Sequence, residues 1–235
     1  MPTKYLYLIW SLYFAFVALW MYYKMPKYRK AMVVISSIVF LAWPISEYLW
    51  MSKDWWHPET ITGTLIWIED FIYSFVSVLI PMFIYKLVFK KDTDKDFIKA
   101  NINIKKVIKN LILWFLIPFL LSWILFSVFH INSIISVMIG MTLSWIIVII
   151  LRKDLFLPSF WTMILMLIIA IPWYMLLDFL NPTYVEKWWY MSNLTWILII
   201  WIPIEDLLWY AIYGFMTGWA YEFIFDFKLI DRKTI

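Results

Sequence analysis

Seven stretches of this chain, roughly 5–23, 32–50, 64–88, 108–129, 133–151, 160–180 and 195–222, are long and apolar enough to cross the hydrocarbon core of a bilayer. A membrane strand needs only about ten residues and alternates its faces, whereas these runs are longer and show no period of two. Helices are therefore the only way to pair the backbone inside lipid. With 65% hydrophobic residues and a mean hydropathy of +0.80, too little polar surface remains to cover a water-soluble globule. The expectation is an all-α polytopic membrane protein with seven transmembrane helices. The absence of cysteine excludes disulfides and thiolate chemistry. Lys24, Lys27, Arg29 and Lys30 follow the first run where a signal peptide would carry small residues, so that run reads as a retained span.

The charges sort by side. Loop 24–31 holds four Lys/Arg, segment 86–109 eight, loop 152–159 two and the C-terminal tail three, against one each in the N-terminus, 51–63 and 181–193. The positive-inside rule then puts the N-terminus outside and the C-terminus in the cytoplasm, which requires an odd number of spans. The net charge of +4 follows from this topology and does not imply nucleic-acid binding.

The chain also repeats itself. Glu47, then Trp55-Trp56, then Glu69-Asp70 in the first half corresponds to Asp178, Trp188-Trp189 and Glu205-Asp206 in the second. Three spans change sides, so two such units share an orientation only if an extra helix joins them. The boundaries expected are 1–90 for the first three-helix unit, 91–132 for a basic linker and connecting helix, and 133–235 for the second unit and tail. Pro44, Pro81, Pro118, Pro172 and Pro203 fall within the apolar runs and should bend them. With four glycines and no evident small-xxx-small face, close backbone packing is not expected.

The acid pairs carry the functional reading. A carboxylate at mid-membrane costs at least about 2.5 kcal/mol, so Glu69, Asp70, Glu205 and Asp206 are the candidate catalytic groups. Adjacent helical residues point about 100° apart, so one member of each pair should face a site. A carboxyl group kept from water is held neutral and can give a proton to a guest lacking polar handles. Walls of Trp and Tyr offer π-faces to a cation and little to a phosphate or sugar. Trp67, Tyr73, Trp201, Trp209 and Tyr210, with Glu47 and Asp178, are the candidate substrate-binding residues, and a lipid-soluble polyene or other isoprenoid is the guest that suits them. The chemistry implied is proton in, closure through a tertiary carbocation, and proton out.

Pro203-Ile204-Glu205-Asp206-Leu207-Leu208-Trp209-Tyr210 resembles a Pro-x-Glu-Glu/Asp motif followed by aromatics, and Trp56-His57-Pro58-Glu59-Thr60-Ile61-Thr62-Gly63 is similar to a Trp-x-x-Asn-Pro-x-x-x-Thr-Gly loop. Both belong to the membrane-embedded, non-flavin lycopene cyclases of the heterodimeric or fused type. The resemblance implies closure of one or both ends of lycopene into rings with no cofactor or metal and no redox change, with Glu69 and Glu205 leading and Asp70 and Asp206 beside them. Trp67 stands where the motif has proline, and the second half lacks the Thr-Gly, so a different isoprenoid substrate is open. Carotenoid hydration and transport by a proton relay are the alternatives; a retinal photoreceptor is excluded because span seven has no lysine for a Schiff base.

Three further features have plainer readings. Trp55, Trp56, Trp188 and Trp189 read first as an interfacial aromatic belt, His57 as a solvated loop residue, and Asp92-Thr93-Asp94-Lys95-Asp96 as a solvated linker rather than a diphosphate site.

Overall fold

Backbone groups in lipid have no water to pair with, and the chain meets this constraint with helices. A computed structural model describes residues 1–232. Among the described residues, six helices are long and apolar enough to cross a membrane: α1 (Thr3–Lys24), α2 (Pro26–Asp54), α3 (Ile68–Val88), α4 (Ile104–Ser127), α5 (Ser133–Leu151) and α6 (Lys153–Leu180). After the short α7 (Tyr184–Trp188), the seventh span is made in two pieces, α8 (Ile204–Thr217) and α9 (Ala220–Phe225).

The seventh span enters later than its apolar run suggests. Leu198–Ile199 pairs antiparallel with Ile202–Pro203, so the first part of that run is a hairpin and not a helix. Its turn residues, Ile200 and Trp201, have φ of 52° and 63°. Positive φ at both central positions is normally left to Asn and Gly, and a β-branched residue there is strained. Pro203 takes the position before α8 with φ −53° and ψ 131°, so it starts a helix where a bend was expected.

Three other prolines act as their chemistry dictates. Each removes the donor to the carbonyl four residues back. The helix is interrupted at Phe40–Leu41 before Pro44, at Val78 before Pro81, and by a π-helical stretch, Ile112–Leu116, before Pro118. Pro172 lies inside an unbroken α-helix from Phe156 to Leu180.

α3 and α8 form the centre. α3 packs on α1, α2 and α6; α8 packs on α5, α6 and α3; α4 lies outside against α5. Contrary to the sequence expectation, a small-xxx-small pair is present: a Cβ at Gly214 would meet Met166 at 2.8 Å, and one at Gly218 would meet Thr162 at 2.5 Å. Span seven thus sits against α6 at a distance that only glycine permits.

The termini lie at opposite ends. The Met1 amine donates to the Leu180 carbonyl beside the Trp-Trp loops, while Leu229–Asp231 pairs with Lys91–Thr93 among the basic loops. The Asp92 cluster is therefore part of a two-stranded ribbon and not a free linker. Although partial burial opposes it, the Lys27 ammonium 2.6 Å away and the Tyr28 hydroxyl hold the Asp92 carboxyl below its usual range.

At the end of the bundle that holds Met1 the two Trp-Trp loops pair with each other. Trp56 bridges Trp189, the His57 N–H donates to the Trp188 carbonyl at 2.7 Å, and the Tyr190 N–H returns the bond to the Trp55 carbonyl at 2.9 Å. Such reciprocity is what an isologous, two-fold contact gives. All four indoles are at most 3% exposed, so they are core and not an interfacial belt. His57 stacks on Tyr190 at 4.2 Å, and burial pushes its pKa down.

Near the other end, Lys86 of α3 meets Glu222 of α9 at 2.6 Å, both essentially unexposed, with the ammonium also donating to the Met82 carbonyl and lying over Phe83 and Tyr221. Glu222→Leu alone strands a buried ammonium and should cost about 3–5 kcal/mol, whereas Lys86→Met combined with Glu222→Leu should recover most of that loss. Thermal unfolding in detergent micelles reads both; equal melting of the single variant and the wild type would show that the pair does not hold the bundle.

Candidate active site

Both acid pairs occupy the first turn of a helix. Ile68-Glu69-Asp70 opens α3 and Ile204-Glu205-Asp206 opens α8. A helix start carries unpaired N–H groups and the positive end of the macrodipole, so it is the least costly place in a membrane helix for a carboxylate. The apolar residues ahead of each pair made the acids look central in their runs. They are nonetheless buried, with Glu69 and Asp70 unexposed, Glu205 6% and Asp206 3% exposed.

The members of each pair diverge as helical geometry requires. Glu69 Oε1 accepts from the Ile61 N–H at 2.9 Å, and Glu205 Oε1 accepts from the Thr195 N–H at 2.7 Å. Each glutamate thus ties down the loop ahead of its own helix. The aspartates turn inward. Asp70 accepts from the Trp67 N–H at 2.8 Å and from the Tyr7 hydroxyl at 2.5 Å, closing a capping box. Glu47, on a π-helical turn of α2, is fully buried near Asp70, and neither of its oxygens has a hydrogen-bond partner among the described residues.

Asp206 stands in different surroundings. Its Oδ2 accepts from the Tyr174 hydroxyl at 3.0 Å and its Oδ1 from the Trp55 indole N–H at 3.1 Å. Around it a void of about 10 Å³ is walled by Trp10, Trp43, Trp55, Trp56, Tyr73, Tyr174, Trp189, Trp209 and Tyr210. Asp206 carries the one carboxyl among the residues of that wall. Asp206, Trp209, Tyr210 and Tyr213 follow at i, i+3, i+4 and i+7, so one face of α8 supplies them all. On α3 the face Asp70, Tyr73, Ser74 and Ser77 has the same spacing, and the Tyr73 and Tyr210 hydroxyls meet across the centre at 3.1 Å.

The family comparison completes this picture. The lycopene cyclase family model matches residues 3–88 and 132–224. The chain belongs to the lycopene cyclase family. No curated protein and no solved structure matches it. As a lycopene cyclase it is an enzyme of carotenoid biosynthesis, of the intramolecular lyase type, embedded in a membrane and acting on a lipophilic carotenoid. The two matched segments contain both acid pairs and leave out α4.

Of the other residues singled out in the sequence of this cyclase, Tyr73, Trp209 and Tyr210 line the Asp206 void. Trp67 and Trp201 do not; they are 44% and 65% exposed, Trp201 at the tip of the hairpin. Asp178 is half-buried on α6 and absent from the wall, so the halves differ here, Glu47 being buried beside Asp70. Tyr7, Trp10, Trp43 and Tyr174 are essential to the geometry and were not picked out. Tyr7, Trp10 and Phe14 at i, i+3 and i+7 mark an inward stripe on α1 that the sequence does contain.

The loop contact gives a direct test. Glu205→Gln keeps an oxygen for the Thr195 N–H, while Glu205→Leu leaves that N–H unpaired at a cost of about 1–3 kcal/mol. The expected result is a near-normal melting temperature for the glutamine variant and a lowered one for the leucine variant, measured in micelles; equal losses would show that the contact does not hold the loop.

Proposed function

We propose that Asp206 is the acid that starts ring closure on a polyene end and the base that finishes it. The observation that carries this is its isolation: a buried carboxyl, held by Tyr174 and Trp55, facing a void whose other walls are aromatic rings. Away from water the neutral carboxyl is favoured over the charged one. Its proton passes to a terminal carbon–carbon double bond, leaving a tertiary carbocation and a carboxylate. A second double bond of the same chain attacks the cation and forms the ring carbon–carbon bond, which moves the positive charge to a ring carbon. A C–H proton next to that centre returns to Asp206 as the new double bond forms. Atoms and charge balance with no redox partner.

The remaining groups support these steps. Tyr174 and Trp55 donate to the carboxylate while it is charged, and the surrounding π-faces stabilise the cation. Water is excluded by the rings, which favours deprotonation over capture of the cation as an alcohol. Glu69 and Glu205 position the loops over the helix starts, and Glu47 with Asp70 forms the corresponding centre of the first half. In this reading two parallel three-helix units, joined by α4, carry the acid pairs toward the outer leaflet, and the basic ends of the helices face the cytoplasm.

Asp206→Asn keeps the size and one acceptor oxygen, which can take the Trp55 N–H while the amide N–H donates to the Tyr174 hydroxyl, but it has no proton of comparable acidity. Turnover should fall by about 10²–10⁴, the usual contribution of a general acid, while Glu205→Gln retains most of its rate. Expression of both variants in lycopene-accumulating bacteria, with pigment chromatography and no added flavin, reads the outcome. Cyclised pigment at the wild-type rate from Asp206→Asn would remove the assignment.

A further inference from the structure

A hydrocarbon end has to reach Asp206, yet the void beside it, about 10 Å³, has room for about one water molecule. Next to it lies a cleft of about 140 Å³ bordered by α2, α3, α4, α5 and α8, close to the size of an engineered apolar cavity that takes up benzene. Ala42, Phe115 and Phe119 in its lining are only half-buried, so it opens on the apolar surface of the bundle. Trp43 and Trp209 face both the cleft and the void.

The cleft offers little to a polar guest. The hydroxyls of its serines are already donated to carbonyls: Ser46 to Trp43, Ser74 to Val39, Ser77 to Ser74 and Ser122 to Pro118. The donors left without partners are the indole N–H groups of Trp43, Trp50, Trp114 and Trp209, set among apolar side chains and rings. A slot lined in this way selects a hydrocarbon.

The two shared indoles are packed differently. Neither N–H has a hydrogen-bond partner among the described residues, so neither ring is tethered by one. The Trp43 ring meets Trp56, Tyr73 and Trp209 edge-on, while the Trp209 ring lies flat on Tyr213, centroids 4.9 Å apart and planes 11° apart. Trp209 also sits three residues after Asp206, on the same face of α8.

We propose that the cleft is the berth of the polyene chain and that Trp209 is the door through which the chain end meets Asp206. This rests on Asp206 being the acid. The end group enters past Trp209, the ring forms against the aromatic wall, and the rest of the chain stays in the cleft and the adjoining lipid.

The chain has no cysteine, so Ala42→Cys puts a single thiol on the cleft wall of the full-length enzyme in lipid vesicles. The rate of the unmodified variant is the reference: its benzyl disulfide adduct should turn over at least tenfold more slowly than that reference, and dithiothreitol should restore the reference rate. With lycopene at about ten times its dissociation constant, labelling by benzyl methanethiosulfonate should slow about tenfold, as mass action sets for an occupied site. An adduct that turns over at the unmodified rate, or labelling that lycopene leaves unchanged, overturns the berth. Lycopene that slows labelling but is not cyclised by the wild type leaves the berth standing and removes the acid assignment. For the door, Trp209→Phe and Trp209→Ala should give a rising share of hydroxylated carotenoid as water gains entry; wild-type product ratios and KM in both overturn it.

Discussion

A carboxyl group in hydrocarbon surroundings has to be given hydrogen-bond donors, and in this cyclase each acid pair meets that demand by opening a helix. The first turn of α3 and of α8 supplies the favourable end of the helix dipole, and the loop ahead supplies an N–H. Much else follows from that placement. A helix that starts at such a point needs a preceding segment that is not helical, which is why residues 60–67 form a loop and Leu198–Ile199 folds back on Ile202–Pro203 as a hairpin. Because neighbouring side chains diverge by about 100°, each glutamate is directed to its loop and each aspartate to the interior.

The paired Trp-Trp loops lock this arrangement. Their reciprocal backbone bonds bring Trp55 of the first half onto Asp206 of the second, at 3.1 Å. Asp206 is thus oriented by a residue from the other half of the chain, so neither half contains all the groups around it. The indoles do double service, closing this end of the bundle and walling the void. With an aromatic wall this dense, displacement of any ring has to be accommodated by its neighbours, and the cleft beside Trp209 is where space for that exists.

Span number, the charge asymmetry of the loops, the acid, Trp-Trp, acid-pair order and the family were legible in the sequence because lipid imposes length and hydropathy on every helix. The start of span seven was not. Residues 195–203 are as apolar as a membrane helix, and hydropathy does not distinguish a greasy hairpin from a helix; only Pro203 marked the boundary, and a proline reads equally well as a kink. The Trp-Trp loops were misread for a related reason, since tryptophan near a span end suits both an interfacial belt and a packed core. Gly214 and Gly218 do form a small-xxx-small pair in the sequence, which a low glycine count obscured. The partners of the aspartates, Tyr7 and Tyr174, come from helices far away in the chain, and a contact across 63 residues leaves no local pattern.

The two acid, Trp-Trp, acid-pair segments share an order of residues and differ in what surrounds them. Asp70 has a second carboxyl, Glu47, near it and a backbone N–H from Trp67, so it is part of an acid cluster and a helix cap at once. Asp206 has neither; the equivalent acid on α6, Asp178, stays half-buried and away from the wall, and Pro203 has no N–H to offer. The two aspartates open their helices in the same way and end in unlike surroundings, one capping its helix with a second acid near it, the other held by Tyr174 and Trp55 among aromatic rings.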